Sequence, residues 1–305
     1  MRKAKKDTYQ TSTFVRLGRK VEPIFYLLPF MLGLLIFQLY PFINVFLISL
    51  KEDYRILSGE FSGYGLKNYQ EVFSDPNFIN GLKNTALYSI IVVPIATALS
   101  LLFATLLNRN INFKGFFQTC YFLPMVTSAT AIGLVWKWLY NYDFGLINYL
   151  FSLLGIDKVN WLNNPAFNLT AVIIYGIWSM LPFTIIMLLA GLQTVDPLYY
   201  TVARADGAKE GRIFFRITLP LLAPTVGLTL ILNIISATSV FSQLFPFFNG
   251  KPGAAYNLYT VVYYLYDAFY VKWQLGRAAA CAVILFVIIL VFTLLQQFLK
   301  KRKGE

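Results

Sequence analysis

The stretch ARADGAKEGRIFFRITLPLLAP, residues 203–224, carries six charged side chains between Arg204 and Arg216, in a chain that is 57% hydrophobic and only 13% charged. It follows a long apolar run ending in GLQTVDP (191–197). Asp196 before Pro197 is a helix start: the carboxylate can accept from a free backbone N–H, and proline at the first helical position loses no hydrogen bond. A short helix over 197–206 is therefore predicted, ended by Gly207 in a left-handed conformation, with a second helix from Ala208 to about Ile217. On that second helix Ile213, Phe214 and Ile217 share one face, and Lys209, Arg212 and Arg216 share another. Pro220 breaks the pattern as the apolar sequence resumes. Spacing alone leaves two readings open: an amphipathic connector lying on anionic headgroups, or a docking element for another protein.

Working outward, the 305 residues have a mean hydropathy of +0.60, more apolar surface than a soluble core needs. About 20 apolar residues cross a bilayer, and six runs qualify: 24–48, 82–107, 116–140, 169–192, 219–240 and 278–299. The fold class is an all-α membrane protein with six transmembrane helices and a helix-turn-helix in the 196–220 loop. It divides into a basic arm (1–22), a membrane domain (23–300) and a basic tail (301–305). The first apolar run is too long for a cleaved signal and reads as an uncleaved anchor.

The net charge of +12 reports orientation rather than nucleic-acid binding. Of 26 basic residues, 17 fall in the arm, the loop after the second run, the 194–217 loop and the tail. These segments alternate onto one side, so both termini and the 203–224 stretch are expected in the cytoplasm.

Three segments are expected on the other side. Residues 51–81 hold a short interfacial helix with Tyr69, Val72 and Phe73 at helical spacing. Residues 141–165 hold a second one, anchored at the headgroups by Trp161 and Tyr142. Residues 250–273 include six tyrosines within fifteen residues, read as an aromatic belt, with a partner-docking surface as the alternative. Prolines 29, 41, 94, 124, 182, 220 and 224 lie in or at the ends of the runs, where each permits a bend.

Absences narrow the chemistry. There is no His, and the two cysteines, Cys120 and Cys281, lie in apolar runs, so no Cys/His metal site or disulfide framework can be built. No Walker A pattern occurs, so ATP is not bound by a P-loop in this chain. None of the 14 acidic residues lies inside a run, which argues against a proton-coupled carrier. A secondary carrier and a membrane-bound scaffold or enzyme are the rivals from other classes.

The run LYYTVARADGAKEGRIFFRITLPLLAP (198–224) resembles the EAA loop of binding-protein-dependent ABC importer permeases. Thr201-Val202-Ala203 stand where that family has E-A-A, Asp206-Gly207-Ala208 form the turn, and Ile217, Leu219 and Pro220 form the I-x-L-P end. Thr201 replaces the family's glutamate. YFLPMVTSATAIGLVWKWLY, WSMLPFTIIMLLAGLQTVDPLYY and NGKPGAAYNLYTVVYYLYDAFY extend the resemblance, which is to the sugar-importing branch. It implies a bacterial inner-membrane permease that pairs with a second permease subunit, a cytoplasmic ATPase dimer that supplies the ATP site, and an extracytoplasmic substrate-binding protein. It implies a sugar or oligosaccharide as cargo, with glycerol phosphate or another polyol as the nearest rival, and no cofactor in the chain itself. It further implies ATPase coupling through Thr201, Ala203, Asp206, Gly207, Ala208, Phe214, Ile217, Leu219 and Pro220. The implied substrate contacts are Gly176, Ser179, Met180, Phe183, Asn233 and Ala237.

Overall fold

A computed structural model describes residues 24, 26–109, 112–242 and 244–302. The basic arm and residues 303–305 of the tail lie outside the described residues. Helix α1 is Tyr26–Leu50. An antiparallel pair, β1 (Lys51–Glu52) and β2 (Gly63–Tyr64), follows, then α2 (Lys67–Ser74) and α3 (Pro76–Leu107). Next come α4 (Lys114–Val126), α5 (Ala129–Leu139), α6 (Leu146–Leu153) and α7 (Asn168–Gln193). Short α8 (Pro197–Ala205) leads to α9 (Glu210–Thr238). The remainder is α10 (Leu244–Phe248), α11 (Val261–Tyr266) and α12 (Leu275–Arg302).

Among the described residues, α1, α3, α7, α9 and α12 are each long and apolar enough to cross a membrane, and the count reaches six if the bent α4–α5 pair is taken as one span. The run expected as one span over 116–140, with a bend permitted at Pro124, is two helices bent by 105°. Thr127 closes α4, its backbone N (3.2 Å) and Oγ1 (2.8 Å) both donating to the Leu123 carbonyl. Thr127 and Ser128 then take extended angles (ψ 147° and 130°) before α5 begins. Pro124, one residue after Leu123, contributes no N–H to hold the turn together.

Pro220 does not break the chain as expected either. The turn Phe214–Thr218 is widened into a π-helical turn, Leu219 N donates to Phe214 O, and α9 continues without interruption to Thr238. The same device precedes Pro41, where Leu35–Leu39 is π-helical and Tyr40 N donates to Leu35 O. A proline ring clashes with the carbonyl four residues back. Those carbonyls, on Arg216 and Phe37, lie inside the widened turns.

Lipid tails are as apolar as leucine, so close fit and hydrogen bonds hold such a bundle together. Helices α3 and α7 form its centre, with Val92, Ala96 and Ala171 fully or almost fully buried between them and their neighbours. Gly176 is required there, since the Tyr88 ring occupies the place of a Cβ. A smaller cluster of Ala104, Leu107, Ile185, Leu188, Leu192 and Leu222 closes the end next to α8. Helix α1 differs: none of its apolar window is buried, and it leans on α12 through Phe42 and Phe286, edge to face at 5.2 Å.

The end away from α8 is more ordered than the sequence suggests. Asn80 and Asn84 donate to the Asn257 carbonyl at 3.1 and 2.8 Å, while the Asn168 and Asn257 amides bond each other. Trp161 is no headgroup anchor: it is 7% exposed, and its indole N–H donates to Asn148 Oδ1 at 3.2 Å. The tyrosine belt is likewise half core, since Tyr259, Tyr263 and Tyr264 are buried while Tyr256 and Tyr270 are exposed. In the 51–81 segment, Val72 is buried, Tyr69 Oη bonds Ser49 Oγ at 2.7 Å, and Lys67 pairs with Asp53 at 2.7 Å.

Candidate functional site

The loop between α7 and α9 folds as a capped joint. Asp196 Oδ1 accepts from Leu198 N at 2.8 Å and Pro197 opens α8. At the other end Ala208 N donates to Ala203 O and Gly207 N to Arg204 O, both at 3.0 Å, the paired bonds of a Schellman ending. Gly207 has φ +74°, the left-handed value that such an ending needs, and a Cβ there would meet nothing within 4 Å. The following helix starts at Glu210 rather than Ala208.

Glu210 fixes the angle of the joint. It accepts from Arg204 Nε of α8 at 3.1 Å and from Arg109, just beyond the end of α3, at 3.3 Å. All three side chains are more than half exposed, so the triad orients the loop more than it stabilises the fold. The joint encloses a groove of about 470 Å³ lined by Leu198, Tyr199, Val202, Ala203, Asp206 and Ile217, together with Asp196. Leu198 is 63% exposed and Tyr199 and Val202 are exposed beside it, an apolar face rimmed by charge.

Of the residues singled out in sequence, Ala203, Asp206 and Ile217 line this groove. Gly207 and Ala208 make the turn. Thr201 is exposed but bonds its own helix, Oγ1 to Pro197 O at 3.2 Å. Leu219 and Pro220 continue α9. Phe214 is half-buried, whereas Phe215 is 68% exposed and stands edge to face against it. The exposed ring of this helix is thus the neighbour of the one its periodicity singled out.

Near the α4–α5 break lies a second cavity of about 240 Å³, lined by Tyr88, Tyr175, Trp178, Ser179, Met180 and Ser236 among others. Two of the six sequence candidates, Ser179 and Met180, are on its wall. The others are elsewhere. Phe183 is 39% exposed, Gly176 packs on Tyr88, and Ala237 is buried. Asn233 is a strut, accepting from Thr184 Oγ1 at 3.1 Å and donating to Thr97 Oγ1 at 3.2 Å. Of the wall residues missed in sequence, Tyr175, Trp178 and Ser236 each adjoin a candidate (Gly176, Ser179 and Ala237), whereas Tyr88 comes from a different helix, α3. Among the described residues no cluster of His, Cys, Asp or Glu could hold a metal ion.

Residues 96–305 match the family described as binding-protein-dependent transport system inner membrane component. The trehalose/maltose transport system permease protein MalF of Thermococcus litoralis is 33% identical over 268 residues, covering 88% of this chain and 90% of its own. The arabinooligosaccharides transport system permease protein AraP of Bacillus subtilis is 32% identical over 293 residues, covering 94% and 91%. A chain of the bacterial alginate ABC transporter, solved in complex with an alginate pentasaccharide-bound periplasmic protein, shares the fold with a TM-score of 0.82. It is 23% identical, over 95% of this chain and 99% of that one. The multi-pass helical bundle, the capped joint between α8 and α9 and these likenesses lead to one conclusion: the chain belongs to the binding-protein-dependent inner-membrane transport components, as an ABC importer permease.

Proposed function

We propose that this chain is one of two permease subunits of an ATP-driven importer for a sugar or oligosaccharide, and that it takes its energy from a separate ATPase dimer. The observation that carries the reading is the exposed apolar face of Leu198, Tyr199 and Val202 on a helix tied by Glu210 to both α3 and α9. A rigid element of that kind passes motion from a bound partner into the spans. The distribution of basic residues supports placing this joint and both termini in the cytoplasm of a bacterial cell. Ala203, Asp206, Gly207, Ala208 and Ile217 would shape the ATPase-docking surface, with Phe215 rather than Phe214 as its exposed ring. Ser179 and Met180, with Tyr88, Tyr175, Trp178 and Ser236, would line this subunit's half of the path, and the second permease would supply the other half. Aromatic rings suit the C–H faces of sugar rings, and aimed hydroxyls suit their polar edges. An extracytoplasmic binding protein would deliver the cargo at the α6 end.

The test is uptake into proteoliposomes holding both permeases and the ATPase, with loaded binding protein outside. Uptake is expected to require internal ATP and to survive a protonophore. Loss of uptake on adding the protonophore at constant internal ATP would instead mean a secondary carrier. Uptake of glycerol phosphate but of no saccharide would move the cargo to the polyol class.

A further inference from the structure

At the α6 end, distinct from the 240 Å³ cavity of Ser179, a basin of about 380 Å³ opens between the 141–163 segment and the 247–254 loop. Its size falls within the range of roughly 300 to 1,000 Å³ found for small-molecule sites. The rim carries Asn141, Asn160, Asn163, Asn249 and Lys251, with the exposed ring of Tyr142 beside them.

The amides are held in fixed orientations. Asn141 Oδ1 accepts from the backbone N–H groups of Asp143 and Phe144 at 3.0 and 3.2 Å. Asn160 Oδ1 accepts from Asn163 N at 3.2 Å, and Asn249 Oδ1 accepts from Lys137 Nζ at 2.6 Å. With each carbonyl taken, the NH₂ groups of these three residues and the whole amide of Asn163 are left for a ligand.

One aromatic partition separates this basin from the inner cavity. Tyr140 and Phe247 line the basin and Tyr175 lines the cavity, with the Phe247 ring 5.2 Å from Tyr175 and 5.9 Å from Tyr140. Tyr140 Oη is fixed by donating to Ala171 O at 2.8 Å.

We propose that the basin is an outer subsite for one ring of an oligosaccharide, occupied before the cargo reaches the inner cavity. This rests on the saccharide-import reading given above. Neutral amide donors at fixed angles match hydroxyl and ring oxygens, Lys251 and Asp143 serve as a further donor and acceptor, and Tyr142 offers a ring to C–H groups. An acyl chain would find few apolar partners on such a wall. An acidic or basic peptide would be recognised by a one-sign cluster, which is absent here.

The test uses the full chain in lipid nanodiscs, titrated with maltotriose, arabinotriose and an alginate trisaccharide, with binding read by thermophoresis. Ala254 lines the basin and is exposed, so Ala254→Trp fills it without removing a hydrogen bond; Asn163→Ala removes one unpaired amide. At least one trisaccharide is expected to bind saturably, at least tenfold more weakly to Ala254→Trp and several-fold more weakly to Asn163→Ala. The proposal is overturned by any of three results: no saturable binding to the wild-type chain, unchanged affinity in Ala254→Trp, or loss of binding-protein docking in that variant with trisaccharide affinity intact. None of these bears on ATP-driven saccharide uptake itself, which the proteoliposome assay reads separately.

Discussion

Gly207 shows how little steric room decides at some positions and how much conformation decides instead. A Cβ there meets no atom within 4 Å, but φ is +74°, a region that costs a residue with a Cβ on the order of 1 kcal/mol. Gly207→Val is therefore expected to insert and fold with a thermal midpoint close to wild type, while the tilt between α8 and α9 changes. ATP turnover and saccharide uptake measured on the same vesicles should then fall out of their wild-type ratio, and wild-type coupling in this variant would reduce the joint to a connector. Asn233 is the opposite case, a buried residue whose amide bridges Thr184 and Thr97. Asn233→Leu is expected to lose about 0.6 to 1.7 kcal/mol, the scale of hydrogen bonds between membrane helices. Thermal unfolding of the purified chain checks this, with the KM for uptake changed less than twofold. Gly207 and the Asp196 cap were legible because each answers to a local backbone need. Asn233 was not, because its partners lie 49 and 136 residues away.

At the scale of elements, hydrophobic runs marked the spans well but not their interruptions. The 105° bend falls where Thr127 and Ser128 leave helical angles, and the continuity of α9 depends on a widened turn ahead of Pro220. Neither leaves a trace in apolar periodicity, which sees a proline and no more. Trp161 misled for a similar reason: an indole at a segment end reads as an anchor until Asn148, 13 residues earlier, is seen to take its N–H. The Glu210 triad predicts a small effect, because exposed pairs contribute less than about 1 kcal/mol. Glu210→Gln should leave the unfolding midpoint almost unchanged and increase the spread of distances between spin labels on α8 and α3. The seam between the β1–β2 hairpin and α2 carries a pH signature. The hydrogen bond from Lys67 holds the Asp53 carboxyl below its ordinary value of 3.8, and Asp53 in turn raises Lys67 above 10.5. The carboxylate's contribution is thus complete above pH 3.8 and lost only as pH falls through its lowered midpoint. The ammonium's contribution is complete below 10.5 and lost as pH rises beyond it. The Asp53 side-chain carbon, followed by NMR, should titrate below 3.8, and an ordinary midpoint there would remove the pair from the structure in solution.

The whole molecule is an uneven assembly, with α3 and α7 at its centre and α1 at its edge, none of whose apolar window is buried. That inequality predicts where the chain loosens first. Phe286→Ala removes the edge-to-face contact with Phe42, worth about 0.5 to 1.5 kcal/mol. Amide exchange of α1 is expected to quicken in that variant while exchange in α3 and α7 stays as it was. The same inequality bears on how the protein is made. Roughly 220 residues separate the end of α1 from the start of the helix it leans on. At a ribosome's pace of about 5 to 20 residues per second, α1 waits on the order of 10 to 45 s for α12 to be synthesised. A helix that depended on its neighbours for a comfortable surface could not keep that interval without a chaperone. One that is greasy on every side can wait in the bilayer by itself, leaving the late-made α12 to find it by lateral diffusion.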